Sequence, residues 1–117
     1  MELIVEELAG GLRCVRLAGR LDLKGTQEVD LKFTALVAGT KQSVIVDMAG
    51  VDYIASIGIR MFISNVKALA SVGAKMIILK PQKMVDDVLR MAGLDAIIPI
   101  HQDLAAAAAA IKGGASN

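Results

Sequence analysis

Two short apolar runs separated by an amphipathic stretch limit this chain to few folds. Val44-Ile45-Val46 is β-branched and too short for an independent helix, and the second run, Lys75 to Leu79, is bounded by Pro81. Between the runs, apolar residues recur at three- and four-residue steps, as on one face of a helix: Ile59, Phe62, Ile63, Val66 and Leu69. The pattern predicts strand, helix and strand, with the strands covered on both faces.

The residues before Val44 predict a hairpin and a helix. Gly10-Gly11 separates two stretches of alternating apolar residues, and glycine supplies the positive φ that a tight turn needs. A helical period over residues 29–37 ends at Gly39, which we expect in the position of a helix C-cap. After the strand at Val44, residues 48–55 are expected to form a loop.

The residues after Leu79 repeat the pattern. Pro81 suits the first turn of a helix, and Gly93 suits its end. Four residues of that helix should face inward: Val85, Val88, Leu89 and Ala92. Ile97–Ile100 is predicted as a last short strand, and Asp103 as the cap of a final helix through the alanine run and Ile111.

These elements predict an α/β domain over residues 1–112, followed by a flexible polar tail, 113–117. The mixed sheet should contain about five strands, with an N-terminal antiparallel hairpin and then right-handed crossovers through about four helices.

Composition argues against several classes of function. With 13 basic and 12 acidic residues and few aromatic ones, the chain has neither a basic field nor a stacking surface for nucleic acid. Its apolar segments fall short of the roughly 20 residues needed to span a bilayer. Acidic residues near Met1 replace the basic ones of a signal peptide, so we expect a cytoplasmic protein. Cys14, the only cysteine, is expected to be buried.

Patterns for catalysis and metal binding are weak. His101, the only histidine, is the one candidate base for Ser56, and Ser56 lacks the Gly-x-Ser-x-Gly context of a hydrolase nucleophile. Ala9-Gly10-Gly11 lacks the Lys-Ser/Thr of a phosphate loop, and no zinc or calcium spacing is present. We therefore expect no enzyme, metal or bound cofactor, while weak nucleotide binding near Asp22 and Ser56 stays open.

Ser56 stands at the predicted start of the second helix. It begins a polar strip that we expect to face solvent: Ser56, Arg60, Ser64, Lys67 and Ser71. Two compatible interpretations are an N-cap, worth about 1 kcal/mol, and a phosphate acceptor, since the helix dipole favours anions there. A phosphate could pair with Arg60 one turn on.

Apolar residues flank this hydroxyl. Ile57 and Met61 either pack at the margin of the core or form an exposed contact patch with Ile54 and Ala55. A phosphate at the centre of such a patch would be costly to desolvate, so modification would end binding.

Three segments resemble the STAS domain of bacterial anti-sigma factor antagonists. Residues 44–59 resemble the signature of this family, which is a hydrophobic strand, then Asp-x-x-x-Val, then Asp-Ser-x-Gly-Leu at the start of a helix. Residues 19–22 resemble the Gly-Glu-Leu-Asp that follows the second strand of the family. Residues 85–94 are similar to its late helix and Gly-Leu stop. The resemblance covers Met1 to about Lys112.

The resemblance implies partner switching. The unmodified protein would bind an anti-sigma factor that is also a serine kinase, and so release a sigma factor for transcription. Phosphate on Ser56 would end this complex and a phosphatase would restore it. ATP belongs to the kinase, so no cofactor is implied. By the resemblance, Asp22 matches an acidic residue that lies near this serine in the family. Together with the patch, the implied partner-binding residues are Asp22, Ile54, Ala55, Ser56, Ile57, Gly58, Arg60 and Met61.

Two residues depart from the family pattern. Ala55 replaces the Asp that is usual in the family, and Arg20 replaces the usual Glu, so this surface is less acidic.

The alternative function is that of a separate accessory subunit of an ABC-type membrane transporter. We expect a monomer, or a weak dimer through the edge of the hairpin.

Overall fold

Five strands form one mixed sheet in the computed structural model, which describes residues 1–113. The strands lie in chain order across the sheet: β1 (Glu2–Leu8), β2 (Leu12–Leu21), β3 (Val44–Ile54), β4 (Met76–Leu79) and β5 (Ile100–His101). Only the first pair is antiparallel. Four helices connect or follow them: α1 (Leu23–Leu36), α2 (Ser56–Ala70), α3 (Lys83–Met91) and α4 (Leu104–Gly113). The predicted α/β class and mixed sheet are confirmed.

The tail predicted over 113–117 is described only at Gly113, the last residue of α4; residues 114–117 lie outside the described residues. None of the helices within residues 1–113 combines the length and the apolar character needed to cross a membrane.

Both faces of the central strands are covered, as predicted. On one face, β-sheet residues such as Val46 and Ile78 pack with Phe33 of α1, Phe62 of α2 and Leu89 of α3. On the other face, a smaller cluster packs against α4: Cys14, Ile45, Ile77, Leu79 and Ala107. Burial raises the pKa of the Cys14 thiol, and the nearby Asp47 carboxylate raises it further. The expectation of a buried Cys14 is confirmed.

Three turn and cap predictions are confirmed. Gly10 and Gly11 have φ angles of 81° and 76° in the hairpin turn between β1 and β2. Gly93, with φ 78°, follows the C-cap residue of α3. The Asp103 carboxylate accepts a hydrogen bond of 2.8 Å from the N–H of Ala106, which caps α4.

Two predictions before α2 are wrong. Residues 48–54 continue β3, because Gly50 to Ile54 pair with Ala18 to Leu21 of β2. One register shift precedes this pairing and a second lies within it, and both disturb the apolar alternation by which strands are recognised. Helix α1 ends at Leu36, with Val37 as its C-cap residue. Gly39 lies beyond it, where a Cβ atom would come within 2.5 Å of the Ala35 carbonyl oxygen.

The later boundaries also differ. The last strand is only Ile100–His101, because a 3₁₀ helix occupies Leu94–Ala96 and the Ile98 N–H bonds back to the Leu94 carbonyl at 2.8 Å instead of pairing in the sheet. Pro81 precedes the Gln82 N-cap of α3 and so lies outside the helix. Ala92, expected to face inward, is the exposed residue after α3.

Candidate functional site

The carboxyl ends of β2 and β3 bring the two predicted site segments together. The strands are parallel, with Leu21 opposite Ile54, so Asp22 and Ala55 leave the sheet at the same edge. The N–H of Ala55 donates to the Leu21 carbonyl at 2.9 Å. Consequently α1, which begins after Asp22, and α2, which begins at Ser56, start side by side.

Asp22 fixes the start of α1. Its carboxylate accepts the N–H of Gly25 at 2.8 Å, and its carbonyl accepts the N–H of Thr26 at 2.9 Å. Gly25 is required here, because a Cβ atom would lie 1.8 Å from the Arg20 carbonyl oxygen. The side chain that the family resemblance places near Ser56 is therefore an N-cap in this protein.

Arg20 and Tyr53 form the polar rim beside Asp22. The guanidinium of Arg20 lies 3.6 Å from the Asp22 carboxylate and 4.3 Å from the centroid of the Tyr53 ring. The hydrogen bond from Gly25 lowers the pKa of Asp22, and the positive charge of Arg20 lowers it further, while partial desolvation opposes both. Asp22 is thus held as a carboxylate. Sequence reasoning missed Tyr53, which no motif marks as a partner of Arg20.

Ser56 is the first residue of α2 and is exposed. The N-cap interpretation is wrong, because Ala55 occupies the N-cap position with φ −104° and ψ 172° and offers no capping oxygen. Within residues 1–113 the Ser56 hydroxyl takes part in no hydrogen bond. The first turn of α2 holds no acidic residue, so its N–H groups favour an anion there.

The predicted contact patch is smaller than expected. Ile54 is 4% exposed and Met61 is 5% exposed, so both side chains belong to the core. Ala55 and Ile57 are partly exposed, and Arg60 is exposed. Of the two interpretations of Met61, the structure therefore supports packing at the core and leaves Ile57 as the larger accessible apolar group beside Ser56.

Gly58 allows α2 to begin close to the strand ends. A Cβ atom at this position would lie 3.1 Å from Cγ1 of Ile54 and 3.2 Å from Cβ of Leu21. The absence of a side chain therefore sets how closely the first turn of α2 packs on β2 and β3.

The polar strip of α2 is confirmed, since all five of its members are exposed: Ser56, Arg60, Ser64, Lys67 and Ser71. Beside it runs a groove of about 430 Å³ between α2 and α1, lined by Ile57, Arg60, Met61, Ser64, Asp30 and Thr34. Asp30 and Thr34 were not identified from the sequence, because only the packing of the two helices brings them beside the strip.

No cluster of three or more His, Cys, Asp or Glu side chains able to hold a metal ion occurs within residues 1–113. His101 lies on β5, at the edge of the sheet, where it pairs with Leu79 of β4. Two strands therefore separate His101 from β2, whose end carries Asp22.

Comparison with protein families finds a match to the STAS domain model over residues 4–107. A protein of Bordetella bronchiseptica assigned as an anti-sigma factor antagonist, BtrV, is 27% identical over 112 residues, which are 96% of each chain.

Solved structures of similar fold agree. An anti-sigma factor antagonist from Mycobacterium paratuberculosis superposes with a TM-score of 0.83 at 19% identity, over 95% of this chain and 93% of its own. The anti-sigma factor antagonist SpoIIAA in its unphosphorylated form superposes with a TM-score of 0.77 at 18% identity, over 96% of this chain and 97% of its own. The phosphorylated form of Bacillus SpoIIAA superposes with a TM-score of 0.65 at 21% identity, over 90% of this chain and 96% of its own.

Proposed function

The chain belongs to the STAS domain family, and from this we propose that it is an anti-sigma factor antagonist controlled by phosphorylation of Ser56. In its unmodified form it binds an anti-sigma factor that is also a serine kinase, and the sigma factor held by that kinase is released. BtrV, similar over almost the whole chain, supports the antagonist part of the proposal.

One observation carries the choice of Ser56: its side chain is exposed at the start of a helix, and its hydroxyl forms no hydrogen bond with the described residues 1–113. A kinase can reach it, and its modification breaks no hydrogen bond within residues 1–113. That SpoIIAA has been solved with and without phosphate agrees with a fold that tolerates such a group.

The phosphate would act on the surface that the partner contacts. It adds a charge of about −1.5 to −2 at the start of α2, where the helix dipole stabilises an anion. Arg60, one turn further along, is within reach of a residue four positions earlier on a helix. Ile57 and Ala55, which flank the phosphorylated residue, carry no positive charge. A partner that covers them must therefore remove water from the phosphate, which costs binding free energy. The complex then dissociates, and a phosphatase restores binding.

Two residues bear on which partner is bound. Ala55 and Arg20 replace acidic residues usual in the family, and Arg20 is held against Asp22 and Tyr53. The surface around Ser56 is accordingly less acidic than in other members of the family. It therefore favours an anti-sigma factor whose contact surface is less basic than the surfaces that those members bind.

The proposal is tested by incubating the purified chain with ATP and each anti-sigma factor kinase of the same organism, followed by intact mass measurement. We expect one added phosphate with the cognate kinase, none in Ser56→Ala, and one in the control Ser64→Ala, which changes an exposed serine two turns away on the same strip. Phosphate retained by Ser56→Ala, or absent with every kinase, would contradict the proposal. Co-purification with a transporter ATPase instead would favour the accessory-subunit alternative.

A further inference from the structure

A shallow surface extends from the groove beside Ser56 across α1. Asp30 and Thr34 line the groove shared with α2 and also a second depression of about 330 Å³, which includes Leu31. Leu31 is 86% exposed, more than any other large apolar residue of residues 1–113 except Met91. We call this continuous area the α1–α2 surface; it consists of Asp30, Leu31, Thr34, Ile57, Arg60 and Ser64.

Side-chain hydrogen bonds connect the centre of the α1–α2 surface to a buried amide, that of Asn65. Asn65 is 1% exposed, and its side-chain amide donates to the Thr34 hydroxyl at 3.1 Å. The Thr34 hydroxyl in turn donates to the Asp30 carboxylate at 3.3 Å. Asn65 is itself fixed, because it also donates to the Met61 carbonyl at 2.9 Å. The position of the Asp30 carboxylate is therefore linked to the core through two side chains.

The two charged side chains of the α1–α2 surface, Asp30 and Arg60, form no salt bridge within the described part of the chain. Asp30 and Arg60 line the same groove from different helices, yet among residues 1–113 neither forms a salt bridge, with the other or with a third side chain. An acid and a base held apart in one groove are complementary to a partner segment that carries the opposite charges in the matching order.

We propose that the α1–α2 surface is the second half of the contact with the anti-sigma factor. The bound segment places a basic side chain on Asp30, a carboxylate on Arg60 and an apolar side chain on Leu31. This inference rests on the proposed function, because its occupant is the partner that covers Ser56.

Position and size support that occupant. Ile57, which follows Ser56 directly, lines the groove, so a protein that covers Ser56 also covers the near end of the α1–α2 surface. A stable protein complex needs about 800 Å² of contact on each partner, more than a single helical turn supplies. The extension across α1 adds to the contact area, and the charges of Asp30 and Arg60 allow the surface to distinguish one anti-sigma factor from another.

Site-specific photocrosslinking in the organism that encodes the chain tests this surface. The photoreactive residue p-benzoylphenylalanine is placed at Leu31, at Ile57 or, as a control, at Met91, which is 87% exposed at the end of α3. We expect crosslinks to the anti-sigma factor from positions 31 and 57 only. A crosslink from 57 without one from 31 would overturn the inference and leave the proposed function standing. No anti-sigma factor at any position would overturn both.

Charge reversal gives a second readout. Asp30→Lys should weaken binding of the crosslinked anti-sigma factor roughly tenfold, mainly through slower association that depends on salt. Glu7→Lys, an equal reversal of an exposed acid on β1, should leave the affinity unchanged. Equal losses in both variants, or none in Asp30→Lys, would contradict a role for Asp30. Melting temperatures near that of the unaltered protein establish that both variants fold.

Discussion

Asp22 and Ser56 stand near the starts of neighbouring helices and have different physical roles. Asp22 is the N-cap of α1, and its carboxylate is tied to Gly25. Ser56 lies one residue inside α2, after Ala55 in the cap position. A serine at the N-cap usually accepts a hydrogen bond from a backbone N–H of its helix, whereas Ser56, one residue further on, forms no such bond and has an exposed side chain.

The role of Asp22 gives a stability that depends on pH. Asp22→Ala should lower the melting temperature at about pH 7, because the Gly25 N–H loses its acceptor. The pKa of Asp22 is lowered in the folded state, so its contribution is fully present above the unfolded pKa, about 3.9. The contribution is lost as the pH falls through the lower folded pKa. The difference in melting temperature between the variant and the unaltered protein should therefore narrow as the pH is lowered from about 7 towards about 2.

Circular dichroism across that pH range measures the effect. Asp52→Ala is the matched control, because Asp52 is an exposed carboxylate near the end of β3 and caps no helix. A gap between Asp22→Ala and the unaltered protein that stays constant down to about pH 2 would show that the carboxylate charge is not what stabilises α1.

Helices α1 and α2 are joined by one aromatic contact and one polar network. Phe33 and Phe62 meet edge to face, with ring centroids 5.6 Å apart and ring planes at 65°. Next to them, Asn65 donates to Thr34 and accepts the N–H of Ala38 at 3.3 Å. The aromatic pair holds the helices together, while the amide fixes their relative position, because hydrogen bonds are directional.

Removal of the Asn65 amide should therefore lower the free energy of unfolding. Asn65→Ala leaves the Ala38 N–H without its acceptor and removes the link to Thr34, so we expect a loss of about 1–3 kcal/mol in the free energy of unfolding. Ser64→Ala, at the adjacent exposed position, should change it by less than about 0.5 kcal/mol. Urea denaturation measures both, and equal small changes would mean that the network contributes little.

Elements with a local cause could be predicted from the sequence, and those determined by distant contacts could not. The Gly10-Gly11 hairpin, the Gly93 stop and the Asp103 cap follow from residues adjacent in the chain. The full length of β3 depends on pairing with β2 across two register shifts, which no local alternation indicates. Likewise, β5 is short because Ile98 is held by a bond to Leu94.

In the whole molecule, the fold brings the candidate site together at the carboxyl ends of β2 and β3. Parallel pairing of β2 with β3 places Asp22 and Ser56 in neighbouring connections, a proximity that the resemblance implied and that the local pattern alone did not require. The motif indicated Ser56, Asp22 and Gly58. It did not indicate Asp30 or Leu31, because those residues join the site only through the packing of α1 on α2.

We propose that phosphate on Ser56 controls binding of the anti-sigma factor without altering the fold. Titration calorimetry of the cognate anti-sigma factor, with the unmodified chain and with phosphoserine incorporated at position 56, measures it directly. We predict at least a roughly tenfold weaker affinity for the phosphorylated chain, about 1.4 kcal/mol, with nearly equal melting temperatures for the two forms. Equal affinities would contradict control by phosphate on Ser56, as would a phosphorylated chain that binds weakly because it has unfolded.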